Sequence, residues 1–154
     1  MSIFEFERDF AGSLRCIPMA ARQKLDLVGI KLSLRQWSRL TREERDRLVT
    51  LGCAEGPERD AYRQTVLALI ASRADEPAVF LGEISHDDWA RDDRMPDAVR
   101  AQAERDGIAP PSPAQWRALQ PLQRFALAKL ARSKHENENF MPAMAEFGLS
   151  SARS

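Results

Sequence analysis

The chain has 154 residues, of which 44% are hydrophobic and 30% are charged, and its 23 basic residues balance its 23 acidic residues. This composition is typical of a globular protein and argues against an intrinsically disordered one. Zero net charge argues against a nucleic-acid-binding protein, which needs a basic surface, and no apolar run is long enough to span a membrane. Two cysteines cannot form a disulfide framework, and the N-terminal residues show no signal-peptide pattern, so the sequence predicts a cytoplasmic protein.

Hydrophobic spacing predicts that the chain begins with two helices. The first is amphipathic, covers residues 3–14 and places Phe6 and Phe10 in the core. Phenylalanines also alternate with glutamates at its start, so a short strand is an alternative prediction there. The second helix covers residues 18–29, because proline favours the first turn of a helix and glycine commonly follows the last.

Capping patterns predict the helices that follow. A serine or threonine precedes a glutamine or glutamate by three positions, the spacing of a capping box, at Ser33–Gln36 and Thr41–Glu44. The first box begins a short helix that brings Trp37 and Leu40 into the core. The second begins a helix that ends at Gly52, and a long amphipathic helix is predicted over residues 57–73.

The second half of the chain is predicted to begin with a crossover loop, about residues 75–94, with an extended piece at 79–81. Four further helices are then expected, at residues 96–106, 113–119, 121–131 and 138–147. Four of their residues complete the predicted core: Trp116, Leu119, Phe125 and Phe140. Residues 151–154 form a tail outside the helical region, which is taken as a single domain over residues 1–150.

An internal repeat links two segments, residues 18–48 and 96–127. Each reads as a helix that begins at proline and ends at glycine, a serine-capped short helix with a tryptophan, and another helix. Matched residues include Trp37 with Trp116 and Arg45 with Arg124. A single segment has too little apolar surface to fold alone, so the repeat predicts an all-α fold in which two units share a core.

Few residues of the sequence suit catalysis. The cysteines and histidines, Cys16, Cys53, His86 and His135, do not match a zinc-site spacing. No glycine-rich phosphate-binding motif and no nucleophile elbow is present. The sequence therefore predicts no catalytic residue, no metal and no cofactor, although Cys16 and His135 leave open a small enzyme or carrier that depends on a thiol or a metal.

Two groups of polar residues are candidates for binding a partner. Arg35 and Arg39 lie close in sequence to Arg42 and Arg45, and with Arg22 they could bind a carboxylate or phosphate. Interleaved acidic residues favour a solvated, salt-bridged face over this binding site. The second group lies between two predicted helices and comprises His135, Glu136, Asn137 and Asn139. These residues are candidates for either helix capping or recognition.

The sequence resembles the nitrate reductase-associated proteins over about residues 3–147. The resemblance rests on these strings: Ser13-Leu14-Arg15-Cys16-Ile17-Pro18-Met19, Lys24-Leu25-Asp26-x-x-Gly29-Ile30-Lys31-Leu32, Gln115-Trp116, Leu122-Gln123-Arg124-Phe125-Ala126-Leu127 and His135-Glu136-Asn137-x-Asn139-Phe140-x-Pro142-Ala143. Genes of this family commonly lie beside genes for assimilatory nitrate reductase and for molybdopterin synthesis.

The resemblance implies an accessory protein that supports the maturation or activity of a molybdenum-dependent nitrate reductase. It implies a partner, either the reductase or a molybdenum-cofactor maturation protein, and it supplies no catalytic residues. Arg15 and Cys16 join the candidate partner-binding residues because they lie in the first of the matching strings. A DNA-binding regulator built on the paired short helices is a further alternative, against which the zero net charge counts.

Overall fold

Helices make up most of the described chain in a computed structural model of the protein. The structure describes residues 3–81, 87–134 and 136–149, without the side chains of Asp9, Phe10, Asp87 and Asp88. Contacts group the chain into two compact units, Met1–Ile84 (unit 1) and Ser85–Ser154 (unit 2). The single-domain organisation and the internal repeat stay predictions. No helix in the described part of the chain is both long and apolar enough to cross a membrane.

Unit 1 contains five α-helices and two short strands among its described residues. Their bounds are α1 Arg8–Ala11, α2 Met19–Val28, β1 Ile30–Lys31, α3 Leu34–Arg39, α4 Arg42–Thr50, α5 Gly56–Arg73 and β2 Val79–Phe80. Helix α2 packs against α4 and α5, and α3 packs against α5. The core of the unit includes Trp37, Leu40, Leu48 and Tyr62. The two strands pair antiparallel, with Ile30 opposite Phe80 and Lys31 opposite Val79.

Local sequence explains where these helices begin and end. The predicted capping boxes of Ser33 and Thr41 are both formed. Each hydroxyl accepts the backbone N–H of the residue three positions later, and the side chain of that later residue accepts the backbone N–H of the serine or threonine. Each box satisfies two backbone donors that the first helical turn leaves without partners. Helix α2 ends at Gly29, whose φ of 74° lies in the left-handed region that glycine adopts without strain.

Unit 2 is arranged around one central helix. Its helices are α6 Asp87–Ala90, α7 Asp97–Arg105, α8 Pro113–Ala118, α9 Pro121–Arg132 and α10 Phe140–Glu146. Helix α9 packs against α6, α7 and α10, and it buries residues around most of its circumference, including Phe125. Trp116, Leu119 and Phe140 are also buried, and the rings of Trp89 and Phe125 pack at right angles with their centroids 5.5 Å apart.

The N-terminal segment differs from the prediction of one helix over residues 3–14. A 3-10 turn at Glu5–Glu7 leads into α1, and neither a long helix nor a strand forms there. Phe6 is half-buried and its ring stacks on Phe4 with the centroids 5.5 Å apart, so its place in the core stays a prediction. Glu7 of the same turn is buried. The side chain of Phe10 lies outside the described residues.

The predicted crossover loop also contains regular structure. The expected extended piece is β2, which pairs with β1, and α6 lies near the end of the loop. Near the C-terminus, the predicted helix over residues 138–147 is a 3-10 turn at Asn137–Asn139 followed by α10. Helices and caps were therefore predicted well where a capping residue or a proline marks the start.

Candidate functional site

The connection between α1 and α2, residues 12–18, is the candidate functional site and is called the Arg15 loop. Leu14 lies at its centre, is fully buried and has a φ of 62°. A left-handed backbone is unfavourable for a residue with a Cβ, and such strain persists only when surrounding contacts impose it. The contacts that impose it come from α3 and α4.

Three side chains hold the centre of the loop by its carbonyl groups. Trp37 Nε1 donates to the Leu14 carbonyl oxygen at 2.8 Å, and Arg45 Nη1 donates to the same oxygen at 3.3 Å. Arg42 Nη1 donates to the Ser13 carbonyl oxygen at 3.2 Å. Hydrogen bonds from charged donors are stronger than neutral ones, so these bonds stabilise a backbone conformation that is otherwise unfavourable.

The C-terminal side of the loop is held where it enters α2. Arg22 Nε donates to the Ile17 carbonyl oxygen at 3.1 Å. Glu7 is only 1% exposed, and its Oε1 accepts the Met19 N–H at 3.0 Å. Met19 is the first residue of α2, so this carboxylate satisfies a backbone donor at the positive end of the helix. The loop is therefore fixed on both sides of Arg15.

The Arg15 side chain projects from this fixed backbone into solvent. Its guanidinium has no hydrogen-bond or ion-pair partner among residues 3–81, 87–134 and 136–149. Cys16 beside it is half-buried, with a free thiol. An exposed guanidinium on a rigid loop suits a carboxylate of a partner, because its planar set of donors matches that group and little entropy is lost on binding.

The predicted arginine cluster separates into two groups with different contacts. Arg35 Nε lies 3.2 Å from a carboxylate oxygen of Glu76, and Arg39 Nη2 lies 3.3 Å from one of Asp75. These exposed pairs use carboxylates that follow α5 rather than the acidic residues interleaved with the arginines, and exposed pairs of this kind contribute little to stability. The other three arginines, Arg22, Arg42 and Arg45, bind carbonyl groups of the Arg15 loop.

The second predicted group of polar residues lies between α9 and α10. The Ser133 hydroxyl accepts the Glu136 N–H at 2.8 Å, and the Glu136 carbonyl accepts the Asn139 N–H at 2.9 Å. Glu136, Asn137 and Asn139 are half-buried. These contacts belong to the turn that begins α10, while His135 lies outside the described residues.

Unit 2 holds a segment with a tryptophan and an arginine in the same way. Trp116 Nε1 donates to the Arg91 carbonyl oxygen at 2.9 Å. Arg124 is only 7% exposed, and it donates from Nε to the Trp89 carbonyl at 3.1 Å and from Nη1 to the Leu119 carbonyl at 2.6 Å. This use of Arg45 and Arg124 was not predicted from the sequence, although their matched positions in the two segments were the available signal.

The buried thiol of unit 1 is not an activated nucleophile. Cys53 Sγ donates to the Lys24 carbonyl oxygen at 3.8 Å, and burial raises the pKa of this thiol. Burial also lowers the pKa of the neighbouring Lys24 ammonium. A thiol with a raised pKa stays protonated near neutral pH and reacts slowly.

These contacts define a mostly helical protein whose best-formed candidate site is a rigid, basic surface loop. Residues 3–147 match the family model of the conserved nitrate reductase-associated proteins. The chain therefore belongs to the nitrate reductase-associated protein family. Comparisons with curated proteins and with solved structures find no match.

Proposed function

We propose that the protein is a cytoplasmic accessory protein that supports the maturation or activity of a molybdenum-dependent assimilatory nitrate reductase. Membership of the nitrate reductase-associated family, over residues 3–147, carries this proposal. The protein acts by binding another protein, either the reductase itself or a molybdenum-cofactor maturation protein.

The Arg15 loop is the proposed contact with that partner. Its backbone is fixed by Trp37, Arg45 and Glu7, while the Arg15 guanidinium remains exposed. A prearranged loop loses little conformational entropy when it binds, which favours an interaction surface over a merely structural connection. The partner's complementary surface is acidic, because a carboxylate is the natural ligand of an exposed arginine.

We further propose that residues 18–48 and 96–127 are an internal repeat. Gly29 and Gly107 both have left-handed backbones, with φ of 74° and 72°, and both segments contain a serine capping box. Each segment also places a tryptophan N–H and an arginine on backbone carbonyls. These shared contacts support a common origin of the two segments.

Deletion of the gene tests the accessory role directly. Nitrate reductase activity is measured in extracts with an artificial electron donor, and reductase protein is measured by immunoblot. Lost activity with normal reductase protein is the expected result, because the reductase would be made without being matured. Unchanged activity and unchanged growth on nitrate would contradict the proposal.

Substitution of Arg15 tests the contact surface. Arg15→Glu, reintroduced into the deletion strain, is expected to restore little activity, since it reverses the charge that faces the partner. Arg47→Glu is the matched control, because Arg47 is also exposed in unit 1 and, unlike Arg42 and Arg45 of the same helix, makes no hydrogen bond to the Arg15 loop. Full activity with both variants would show that the partner binds another surface. The accessory role would then still be decided by the deletion result.

A further inference from the structure

Strand β2 exposes two consecutive apolar side chains. Val79 is 51% exposed and Phe80 is 53% exposed, although both belong to a strand of the two-stranded sheet in unit 1. Successive side chains of a strand point to opposite faces, so both faces of β2 present an apolar group to solvent. Exposed apolar groups on a strand edge are uncommon unless another strand binds there.

The backbone of β2 also has an open edge. Leu81 N–H donates to the Gly29 carbonyl oxygen at 2.9 Å, so Gly29 and Leu81 are a hydrogen-bonded pair of the antiparallel ladder. Pairs alternate between hydrogen-bonded and non-hydrogen-bonded, so the pair Ile30–Phe80 is of the second kind. The N–H and C=O groups of Phe80 therefore point away from β1, and no strand among the described residues pairs with that side.

Cationic groups lie beside both exposed side chains. Lys31 is exposed and directly opposite Val79, which places the two side chains on one face of the sheet. On the other face, the guanidinium carbon of Arg63 lies 5.2 Å from the centroid of the Phe80 ring. Neither Lys31 nor Arg63 pairs with a carboxylate in the described part of the chain.

We propose that the open edge of β2 binds an extended, acidic segment of a partner polypeptide by strand addition. The outward N–H and C=O of Phe80 supply the backbone bonds, Val79 and Phe80 supply apolar contact, and Lys31 and Arg63 attract the carboxylates. This inference concerns a surface other than the Arg15 loop and does not depend on the identity of the partner.

A second copy of the chain fits this edge less well than an acidic segment. Pairing of β2 with β2 would add a second set of Lys31 and Arg63 to the same sheet without supplying a carboxylate to either set, and like charges repel one another. The nearest acidic residues that follow α5 do not offset this repulsion, because Asp75 and Glu76 already pair with Arg39 and Arg35.

Binding of a short synthetic peptide that alternates glutamate with valine tests the proposal. Fluorescence anisotropy measures its affinity for the full chain, and a peptide with lysine in place of glutamate is the charge control. We expect the acidic peptide to bind and the basic one not to bind, with an affinity that falls as salt rises. Amide exchange of Phe80 is expected to slow on binding, whereas Leu81, already bonded to Gly29, serves as the internal control.

Two variants separate the backbone from the side chain. Phe80→Pro removes the outward N–H, and proline is tolerated at such an edge position, whereas Phe80→Leu keeps the N–H and an apolar group. We expect Phe80→Pro to weaken binding about tenfold relative to Phe80→Leu. Helical circular dichroism checks that both variants fold.

Three outcomes would overturn the proposal. Equal affinity for the acidic and basic peptides would show that charge complementarity does not contribute to binding. Equal affinity of the proline and leucine variants for the acidic peptide would show that the peptide does not bind by strand addition. A concentration-dependent dimer that the acidic peptide does not dissociate would identify a second copy of the chain as the occupant.

Discussion

Unit 1 and unit 2 use the same pair of side chains to hold different segments. In each unit a buried tryptophan donates its indole N–H to a carbonyl oxygen, at Leu14 in unit 1 and at Arg91 in unit 2. In each, an arginine eight positions after the tryptophan bonds to the tryptophan's own carbonyl, Arg45 at 3.2 Å and Arg124 at 3.4 Å. The two units therefore share the tryptophan–arginine attachment, but the segments that it holds, around Leu14 and around Arg91, are different.

The difference lies in whether the charges of the held segment are paired. In unit 2, Arg91 binds Asp93 through two bonds of 2.9 Å, and this arginine lowers the pKa of that carboxyl. In unit 1, Leu14 is left-handed and the Arg15 guanidinium has no partner among the described residues. The same attachment therefore stabilises one segment whose charges pair internally and another whose charge remains available for recognition.

Replacing each tryptophan with alanine gives the largest expected effect. Trp37 and Trp116 are 0% and 1% exposed, and loss of a buried aromatic side chain costs about 3–5 kcal/mol of unfolding free energy. Urea denaturation followed by circular dichroism measures it. A loss below about 1 kcal/mol for either variant would show that the two attachments are not equivalent.

Replacing the arginines should lower the free energy of unfolding more for Arg124 in unit 2 than for Arg45 in unit 1. Arg124→Met leaves the buried carbonyls of Trp116 and Leu119 without this donor, at a cost of about 3 kcal/mol. Arg45 is half-buried, and the Leu14 carbonyl that it binds keeps the Trp37 N–H as a second donor, so Arg45→Met is expected to cost only about 1 kcal/mol. Urea denaturation of both variants tests this order, and a reversed order would mean that unit 1 depends more on its attachment than unit 2.

Replacing Tyr62 with phenylalanine gives a smaller loss of unfolding free energy, which is confined to unit 1. The Tyr62 hydroxyl donates to the Leu48 carbonyl oxygen at 2.6 Å, and Tyr62→Phe is expected to cost about 1 kcal/mol. Burial raises the pKa of Tyr62 above its ordinary value. The folded chain therefore keeps a proton that the unfolded chain loses above about pH 10, and stability falls as pH rises through that value.

The pH dependence can be assigned because Tyr62 is the only tyrosine of the chain. Urea denaturation at about pH 8 and about pH 11 should show a steeper loss for the natural protein than for Tyr62→Phe. Tyrosinate absorbance should appear only as the protein unfolds. Ionisation of the tyrosine before unfolding would contradict its burial.

Residues that signal helix starts made much of this fold predictable from the sequence. Ser33, Thr41 and Ser112 form their capping boxes because the partners lie three residues away, so local spacing decides the geometry. Trp37 and Trp116 are buried, as their apolar surface requires.

The candidate site was less predictable because distant residues determine it. The left-handed backbone of Leu14 depends on donors 23 and 31 positions further along the chain. Glu7 is buried against a helix start 12 positions away, whereas an acidic residue in an amphipathic pattern suggests exposure. Residues that contact one another across such separations leave no periodic pattern in a single sequence.

The bond between Glu7 and Met19 makes the first turn of the chain a structural support for the Arg15 loop. Removal of the residues before Arg8 deletes the carboxylate that fixes the start of α2. Proteolysis that clips this short segment would thus remove one of the side chains that hold the loop, whereas the bonds from Trp37, Arg42 and Arg45 to its centre would remain.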